Sequence, residues 1–253
     1  MRYAVISGGA GGLGRALSMQ LQAGGWAVAL LDLRTEGLEE SATQLPLACD
    51  LTDRGSLTHA LARVTEWSGG AVDLAIYNAG VTQIGAFDAT DAASHRRVFE
   101  INYFAAVEMA RALLAPVRAA KGTHLAISSV AGFSPLYQRT AYAASKHALE
   151  GFFSSLRSEE RAHGVHVAIA APSFVATNIG KPERGDDGIA RPGSAGDGVD
   201  YMTPDQAAAE ILRGLERRRD FIPVGRVARL AWRINRLSPR LFQKLMERNI
   251  GGR

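Results

Sequence analysis

The sequence predicts an α/β fold, a single doubly wound domain in which a parallel sheet of about seven strands carries helices on both faces. Short apolar runs alternate with longer segments of helical periodicity along the 253 residues, as expected of successive βαβ units. The apolar runs are nearly continuous, which is typical of parallel strands buried on both faces. A glycine-rich turn also joins the first strand to the first helix, as is common in doubly wound folds.

Seven segments are predicted to be strands because they are short, apolar and bounded by turn residues. These strands are Tyr3–Ser7, Ala27–Leu31, Leu45–Cys49, Val72–Tyr77, Thr123–Ser128, Val165–Ala170 and Phe221–Val224. Five segments with helical periodicity are predicted to be helices: Leu13–Gln22, Glu36–Gln44, Arg54–Trp67, Ala92–Ala120 and Tyr142–Ala162. No repeat or linker divides the chain, so residues 1–253 are interpreted as one domain that ends in a helical extension.

The composition is that of an ordinary globular domain, with 47% hydrophobic and 21% charged residues. Cys49 is the only cysteine, which excludes an intramolecular disulfide framework and favours a reducing cytoplasm. We expect Cys49 to be a small buried side chain at the end of a strand. No signal peptide precedes the first strand, and no apolar stretch approaches the length of a membrane span. We therefore expect a cytoplasmic protein.

The turn after the first strand has the composition of a phosphate-binding site. Gly8, Gly12 and Gly14 allow a sharp turn and let the backbone approach a pyrophosphate closely. The helix that begins near Leu13 would direct its N-terminal N–H groups and its positive dipole at the same anion. The turn therefore predicts a Rossmann-type nucleotide-binding domain.

An acidic residue at the end of the second strand bears on the choice of cofactor. The carboxylate of Asp32 can accept hydrogen bonds from both adenosine ribose hydroxyls, and it would repel a 2′-phosphate. No arginine precedes Gly12 in the turn, although Arg34 lies two residues beyond the acid. NAD(H) is therefore favoured as the cofactor, and NADP(H) stays open as the alternative. The alternative is that Asp32 is only a solvated residue at a strand end.

A tyrosine and a lysine four residues apart suggest proton chemistry. On a helix, Tyr142 and Lys146 would share one face. The ammonium would lower the phenol pKa from its usual value of about 10, making tyrosine a usable acid and base near neutral pH. Ser129 lies 13 residues before Tyr142 and adds a hydroxyl to this pair.

These motifs, together with the run Tyr77–Gly80, resemble those of the short-chain dehydrogenase/reductase family from Arg2 to about Thr177. The resemblance implies that Tyr142 exchanges a proton with the substrate oxygen while hydride moves between the substrate carbon and the nicotinamide. It implies that Lys146 lowers the tyrosine pKa and binds the nicotinamide ribose, and that Ser129 stabilises the substrate oxygen. Asn102 matches the family's catalytic asparagine, which holds a water for proton relay.

The resemblance also implies a set of cofactor contacts. The matching residues are Asp50 and Leu51 at the adenine, Asn78, Ala79 and Gly80 beside the adenosine ribose, and Pro172, Val175 and Thr177 at the nicotinamide. Ser173 departs from the family's usual glycine, which leaves the local backbone conformation open because serine tolerates positive φ poorly.

Two regions are expected to face the substrate. Residues 178–202, with a glycine-rich stretch from Gly180 to Val199, occupy the place where the family often has a mobile lid. The apolar residues between Ser129 and Tyr142 are expected to line the pocket or to pack the lid. These residues are Phe133, Pro135, Leu136 and Tyr137. They favour a hydrophobic alcohol or ketone as substrate.

The C-terminal tail, residues 225–253, is strongly basic. Arginines recur every three or four residues at Arg226, Arg229, Arg233, Arg236 and Arg240. An apolar series follows one position on, so a helix would carry a basic stripe beside an apolar stripe. Three interpretations stay open: a packed appendage, a peripheral membrane contact, and attraction of an anionic substrate. Nucleic-acid binding is not expected, since no recognition motif accompanies the charge.

The predicted function is an NAD(P)-dependent oxidoreductase that transfers hydride between the cofactor and a secondary alcohol or ketone. The alternative is a non-catalytic nucleotide-binding regulator or scaffold of the same fold. No metal site is predicted, and the resemblance implies a homodimer or homotetramer formed through the two longest helices.

Overall fold

The computed structural model describes residues 1–177, 189–190 and 201–250, with side chains described as far as residue 245. The strands in these ranges are β1 (Arg2–Ser7), β2 (Trp26–Asp32), β3 (Gln44–Ala48), β4 (Leu74–Tyr77), β5 (Thr82–Gln83), β6 (Thr123–Ile127), β7 (His166–Pro172), β8 (Ile189–Ala190) and β9 (Phe221–Val224). The α-helices are α1 (Gly12–Ala23), α2 (Arg54–Trp67), α3 (Ala92–Phe99), α4 (Ala105–Ala120), α5 (Thr140–Glu160), α6 (Pro204–Glu216), α7 (Arg226–Leu237) and α8 (Pro239–Ile250).

Seven of the strands form one parallel sheet in the order β3-β2-β1-β4-β6-β7-β9. The predicted seven-stranded, Rossmann-type parallel sheet is thus confirmed. The short strands β5 and β8 pair separately and antiparallel. The chain leaves β1 towards β2 on one side and reaches β4 on the other, so the strand order reverses between β1 and β4. In open parallel sheets, this is where a crevice forms outside the carboxyl ends of the strands.

The sheet is covered on both faces by apolar packing. Successive residues of β1 show this arrangement, because neighbouring side chains of a strand point to opposite faces. Val5 packs in one core cluster with residues of α2, α4 and α5. Ala4 and Ile6 pack in the other with residues of α1 and α6. Cys49, directly after β3, is buried in the first cluster as expected.

One predicted helix is wrong. Glu36–Gln44 forms turns, with Gly37 at a φ of 75° and an isolated bridge between Ser41 and Gln44. Nine residues make a marginal helix on their own, and here Gln44 already pairs with Val28 as the first residue of β3. Pairing with the neighbouring strand therefore outweighs local helical propensity.

The predicted helix Ala92–Ala120 contains a break. A π-helical turn at Glu100–Phe104 separates α3 from α4. Such turns insert extra residues into a helix and occur often at functional sites. This one contains Asn102, whose side chain is buried.

The basic tail is helical, as its periodicity predicts. Ser238 separates α7 from α8, and its hydroxyl accepts a hydrogen bond from the N–H of Leu241 at 3.3 Å. No helix within the described residues combines the length and apolar character needed to cross a bilayer. Most of the expected lid, 178–202, lies outside the described residues.

Candidate active site

The glycine turn after β1 is closely packed on the ends of the neighbouring strands. Gly8 has a φ of +66°, and a Cβ on it would lie 2.9 Å from Ala79 Cα. A Cβ on Gly14 would overlap the carbonyl oxygen of Gly8. The helix α1 starts directly at this turn, and its N-cap residue Gly11 provides no side-chain cap. The first N–H groups of α1 are thus available to an anion.

Side-chain hydrogen bonds join the glycine turn to the end of β4. The hydroxyl of Ser7 accepts hydrogen bonds from the N–H groups of Asn78 (3.0 Å) and Ala79 (3.2 Å). In return, Asn78 Nδ2 donates to the carbonyls of Ser7 (3.1 Å) and Gly8 (3.0 Å). Ser7 was not predicted as a site residue; the available signal was a hydroxyl directly before the first glycine. These hydrogen bonds fix the end of β1 against the end of β4, the two strands between which the strand order reverses.

Asp32 ends β2 beside the same turn. Its Oδ2 accepts a hydrogen bond from the N–H of Ala10 at 2.9 Å, which places the carboxylate against the turn. Arg34 is exposed. On another side, a Cβ on Gly12 would lie 3.1 Å from Thr177 Cβ. Residues from β1, β2 and the segment after β7 therefore surround one crevice.

The predicted adenine-side residues follow β3, and the predicted nicotinamide-side residues lie at the end of β7 or after it. Asp50 Oδ1 accepts hydrogen bonds from Thr52, at 2.9 Å from its N–H and 2.7 Å from its hydroxyl, and these bonds lower the pKa of Asp50. Leu51 is half-buried. Val175 forms a bridge with Met202.

The serine that replaces glycine after Pro172 adopts an ordinary backbone conformation. Within the described ranges, positive φ outside glycine is confined to Lys121, Gln138 and Arg218. Ser173 is therefore not strained, and its N–H donates to the carbonyl of Val224 at 3.1 Å.

Tyr142, Ser129 and Lys146 lie together where β6 ends and α5 begins. Tyr142 and Lys146 are one turn apart on α5, and both are buried, with 8% and 3% exposure. A side-chain hydrogen bond links Tyr142 with Ser129. Lys146 Nζ lies 5.9 Å from the centroid of the Tyr142 ring. The structure thus brings the predicted triplet into one site.

The electrostatics of this triplet differ from the expectation. Burial raises the pKa of Tyr142, and the hydrogen bond with Ser129 and the charge of Arg139 only partly oppose the rise. The Lys146 ammonium donates to the carbonyl of Ile127 at 2.9 Å, so the effect of burial on the tyrosine pKa outweighs that of the nearby charges. Burial lowers the pKa of Lys146 to about 8, against the opposing charge of Glu150.

Glu150 was not predicted from the sequence, although it lies one further turn along the face of α5 that carries Tyr142 and Lys146. Its Oε1 accepts a hydrogen bond from the Ser128 hydroxyl at 2.6 Å. Burial raises the pKa of Glu150, and the Ser128 hydrogen bond and the charges of His147 and Lys146 oppose this. The four-residue spacing from Lys146 was the signal that could have identified it.

Asn102 makes three side-chain hydrogen bonds to protein atoms. Its Oδ1 accepts from the N–H of Val81 at 2.8 Å, and its Nδ2 donates to the Val81 carbonyl and the Ser145 hydroxyl, both at 2.9 Å. A Cβ on Gly80 would lie 3.3 Å from Asn102 Oδ1 and 3.5 Å from Lys146 Nζ. Gly80 thus lets the asparagine and the lysine approach each other.

The segment expected to line the substrate pocket divides into two parts. The ring of Phe133 packs against Phe221 of β9, with centroids 6.0 Å apart. Phe133 therefore lies next to the strand that directly precedes the tail. Leu136 is half-buried, and Pro135 and Tyr137 are exposed. These three residues remain the apolar surface between Ser129 and Tyr142.

Comparison with known proteins agrees with this fold. The short chain dehydrogenase family model matches residues 2–188. Dehydrogenase/reductase SDR family member 7B from Bos taurus is 33% identical over 96% of this chain and 79% of that protein. Dehydrogenase/reductase SDR family protein 7-like from Drosophila melanogaster is 30% identical over 97% and 79%.

Solved structures show the same fold over nearly the whole chain. A short-chain dehydrogenase from Streptomyces avermitilis has a TM-score of 0.80 and 25% identity, covering 99% of this chain and 98% of that one. One from Burkholderia cenocepacia, in complex with NADP, has a TM-score of 0.83 and 22% identity, covering 98% of each chain. The chain belongs to the short-chain dehydrogenase/reductase family. It is accordingly an NAD(P)-dependent oxidoreductase.

Proposed function

We propose that this protein is an NAD(H)-preferring enzyme that interconverts a hydrophobic secondary alcohol and its ketone, with Tyr142 as the general acid and base. The assembly of Ser129, Tyr142 and Lys146 at the carboxyl end of the sheet, beside the glycine turn, carries the proposal. A scaffold that only binds a nucleotide would have no use for a buried ammonium beside a buried phenol, since burying an ammonium costs free energy.

The three side chains divide the proton chemistry between them. Burial keeps the phenol of Tyr142 protonated, ready to donate to a carbonyl oxygen during reduction. The phenolate left behind gains stability from the ammonium of Lys146, one helical turn away. Ser129 can donate its hydroxyl hydrogen to the same substrate oxygen as negative charge develops there. In oxidation the proton moves the other way.

Asn102 is proposed to act as a positioning residue. Its hydrogen bonds with both backbone groups of Val81 fix the segment beside Gly80, and Asn102 and Lys146 both lie near the position that a Cβ on Gly80 would occupy. The π-helical turn directs the asparagine towards this strand end.

The residues present fit a dinucleotide. The glycine turn leaves no room for larger side chains, and it presents the uncapped N–H groups of α1. Gly8, Gly12 and Gly14 would hold the pyrophosphate and Asp32 the adenosine ribose, and the carboxylate of Asp32 supports the preference for NAD(H). A bound nicotinamide would accept or supply the hydride.

The surroundings support the remaining parts of the proposal. The apolar side chains of Pro135, Leu136 and Tyr137 before Tyr142 favour a hydrophobic substrate. We also propose a homodimer or homotetramer formed through α4 and α5; Phe104, 47% exposed at the start of α4, is a large apolar side chain that such contact could cover. A cytoplasmic location agrees with the unpaired Cys49.

The Tyr142→Phe variant tests this function. The variant keeps the ring but cannot transfer a proton, so kcat/KM for a panel of aliphatic, aromatic and steroid ketones should fall by about a hundredfold to ten-thousandfold. Cofactor absorbance reports turnover with NADH and with NADPH. Tyr3→Phe, a tyrosine that packs on Trp67 away from the site, is the matched control. Wild-type turnover by Tyr142→Phe would contradict the assigned mechanism.

A further inference from the structure

The outward face of the C-terminal helices carries leucines and cations in alternation. On α7, Arg226, Leu230, Arg233 and Leu237 follow one another at helical spacing along one face, and all four are exposed. On α8, the exposed residues include Arg240, Leu241, Lys244 and Leu245. These eight residues form what we call the tail surface. Leu237 is 87% exposed and Leu230 61%, unusually large values for two leucines on one helix face.

The inward face of α7 is attached to the body. Trp232 stacks on Phe221 of β9, with centroids 5.6 Å apart. Asn235 Nδ2 donates to the carbonyl of Phe133 at 2.6 Å, and Arg229 pairs with Glu210 of α6 at 3.0 Å. Because the inward face of α7 is fixed in this way, the α7 residues of the tail surface are held on the side facing away from the body.

The charge of this surface has one sign. Residues 226–245 contain five arginines and one lysine and no acidic residue. A partner must therefore accept leucine side chains and also supply negative charge across the same area. We propose that the tail surface docks on an anionic phospholipid bilayer, with the leucines entering the acyl boundary and the arginines contacting lipid phosphates.

The alternation favours a bilayer over a second copy of the chain. In a two-fold dimer the same face of both copies would meet, so the arginines of one copy would lie opposite those of the other and repel them. At a bilayer surface, the long arginine side chains can place their charges at the headgroups while the neighbouring leucines lie deeper. On its inward face, α7 contacts Phe133, four residues after Ser129, through Asn235, so docking would bring this side of the candidate site towards the lipid.

Vesicle sedimentation with the full-length protein tests this proposal. Wild-type protein should pellet with vesicles of phosphatidylcholine mixed with phosphatidylglycerol, and far less with phosphatidylcholine alone. Raising the NaCl concentration should weaken the binding because salt screens the arginines. Leu237→Asn combined with Leu241→Asn should lower the partition coefficient about tenfold or more. Arg233→Gln combined with Arg240→Gln should lower it about tenfold to thirtyfold.

Matched controls are available on other parts of the surface. Met19→Asn removes a 66% exposed apolar side chain from α1, and Arg161→Gln removes an exposed cation after α5; both should bind as wild type. Equal binding to neutral and anionic vesicles, or wild-type binding by the leucine variant, would overturn the proposal. Absence of vesicle binding together with a doubled mass in light scattering that the leucine variant loses would show that a second copy covers the surface.

Discussion

Lys146 is buried and Glu150 is half-buried on the same face of α5, and each of the two side chains is hydrogen-bonded to a different group. The ammonium donates to the Ile127 carbonyl and the carboxylate accepts from Ser128. Burial lowers the pKa of Lys146 to about 8, and the charge of Glu150 opposes that lowering. Since strongly shifted groups cluster at functional sites, we infer that Glu150 helps to keep Lys146 charged at neutral pH.

Replacing Glu150 by glutamine should move the alkaline limit of activity. In the proposed mechanism the Lys146 ammonium stabilises the Tyr142 phenolate, and this charge is lost as the pH rises through the Lys146 pKa of about 8. Without the Glu150 charge this pKa falls further, so the alkaline limb of kcat/KM should shift to lower pH and activity should fall several-fold above neutrality. A pH profile measures this. Glu159→Gln, at an exposed position of α5, should keep the wild-type profile, and an unshifted limb in Glu150→Gln would count against the coupling.

Between elements, a buried polar pair links β4 to β6. Tyr77 and His124 hydrogen-bond through the phenol and Nδ1 at 2.6 Å, inside the core. Burial lowers the pKa of His124 to about 4, with Glu160 opposing this shift and Arg118 reinforcing it. The folded chain therefore holds His124 neutral at a pH where the unfolded chain binds a proton.

This difference predicts acid sensitivity. The folded pKa is about 4 and the usual value is 6.5, so the unfolded state binds more protons between these pH values and stability is lost as the pH falls through this window. The loss amounts to about 1.4 kcal/mol for each pH unit, or about 3 kcal/mol in all. Urea unfolding from pH 7 to pH 4 should show a smaller loss for His124→Gln than for wild type. His59→Gln, at an exposed position of α2, should follow wild type; parallel curves for all three proteins would refute the role of His124.

The elements also show which parts of the structure can be predicted from the sequence. The strands of the sheet are apolar over their whole length, so their positions follow from local composition. The helix predicted at Glu36–Gln44 was wrong because Gln44 pairs with Val28 on the neighbouring strand β2, a contact that the local sequence does not reveal. The π-helical turn around Asn102 likewise serves contacts with Val81 and Ser145 that no local pattern reveals.

The residues of the candidate site likewise divide into those that a local sequence pattern predicts and those that only the folded structure reveals. Tyr142 and Lys146 were predictable because helical spacing alone places them side by side. Ser7 was missed because its role consists of hydrogen bonds across strands, to Asn78 and Ala79. The tyrosine pKa was expected to fall because spacing reports proximity, whereas burial, which dominates here, depends on the whole fold.

At the scale of the whole molecule, the crevice joins parts of the chain that are remote in sequence. The glycine turn, Asp32, Asn78 and Thr177 come from four different segments, and they meet only in the folded state. A dinucleotide that contacts all of them binds the folded chain and not the unfolded one. Binding must then stabilise the whole domain by mass action.

Thermal unfolding with each cofactor therefore reports the preference directly. At a free concentration of about 100 times its Kd, a cofactor adds about 2.7 kcal/mol, which raises the Tm of a chain of this size by about 5–10 °C. In the proposed binding mode NAD⁺ should produce the larger shift, because the Asp32 carboxylate can accept hydrogen bonds from ribose hydroxyls and would repel a 2′-phosphate. Asp32→Ser should reduce the NAD⁺ shift and increase the NADP⁺ shift, while Asp88→Ser, at an exposed position, should leave both unchanged. If Asp32→Ser merely damaged the turn, the Tm shifts with both cofactors would be lost, so a larger shift with NADP⁺ identifies charge repulsion as the cause of the preference. Equal Tm shifts of the wild type with the two cofactors would rule out a preference set by Asp32.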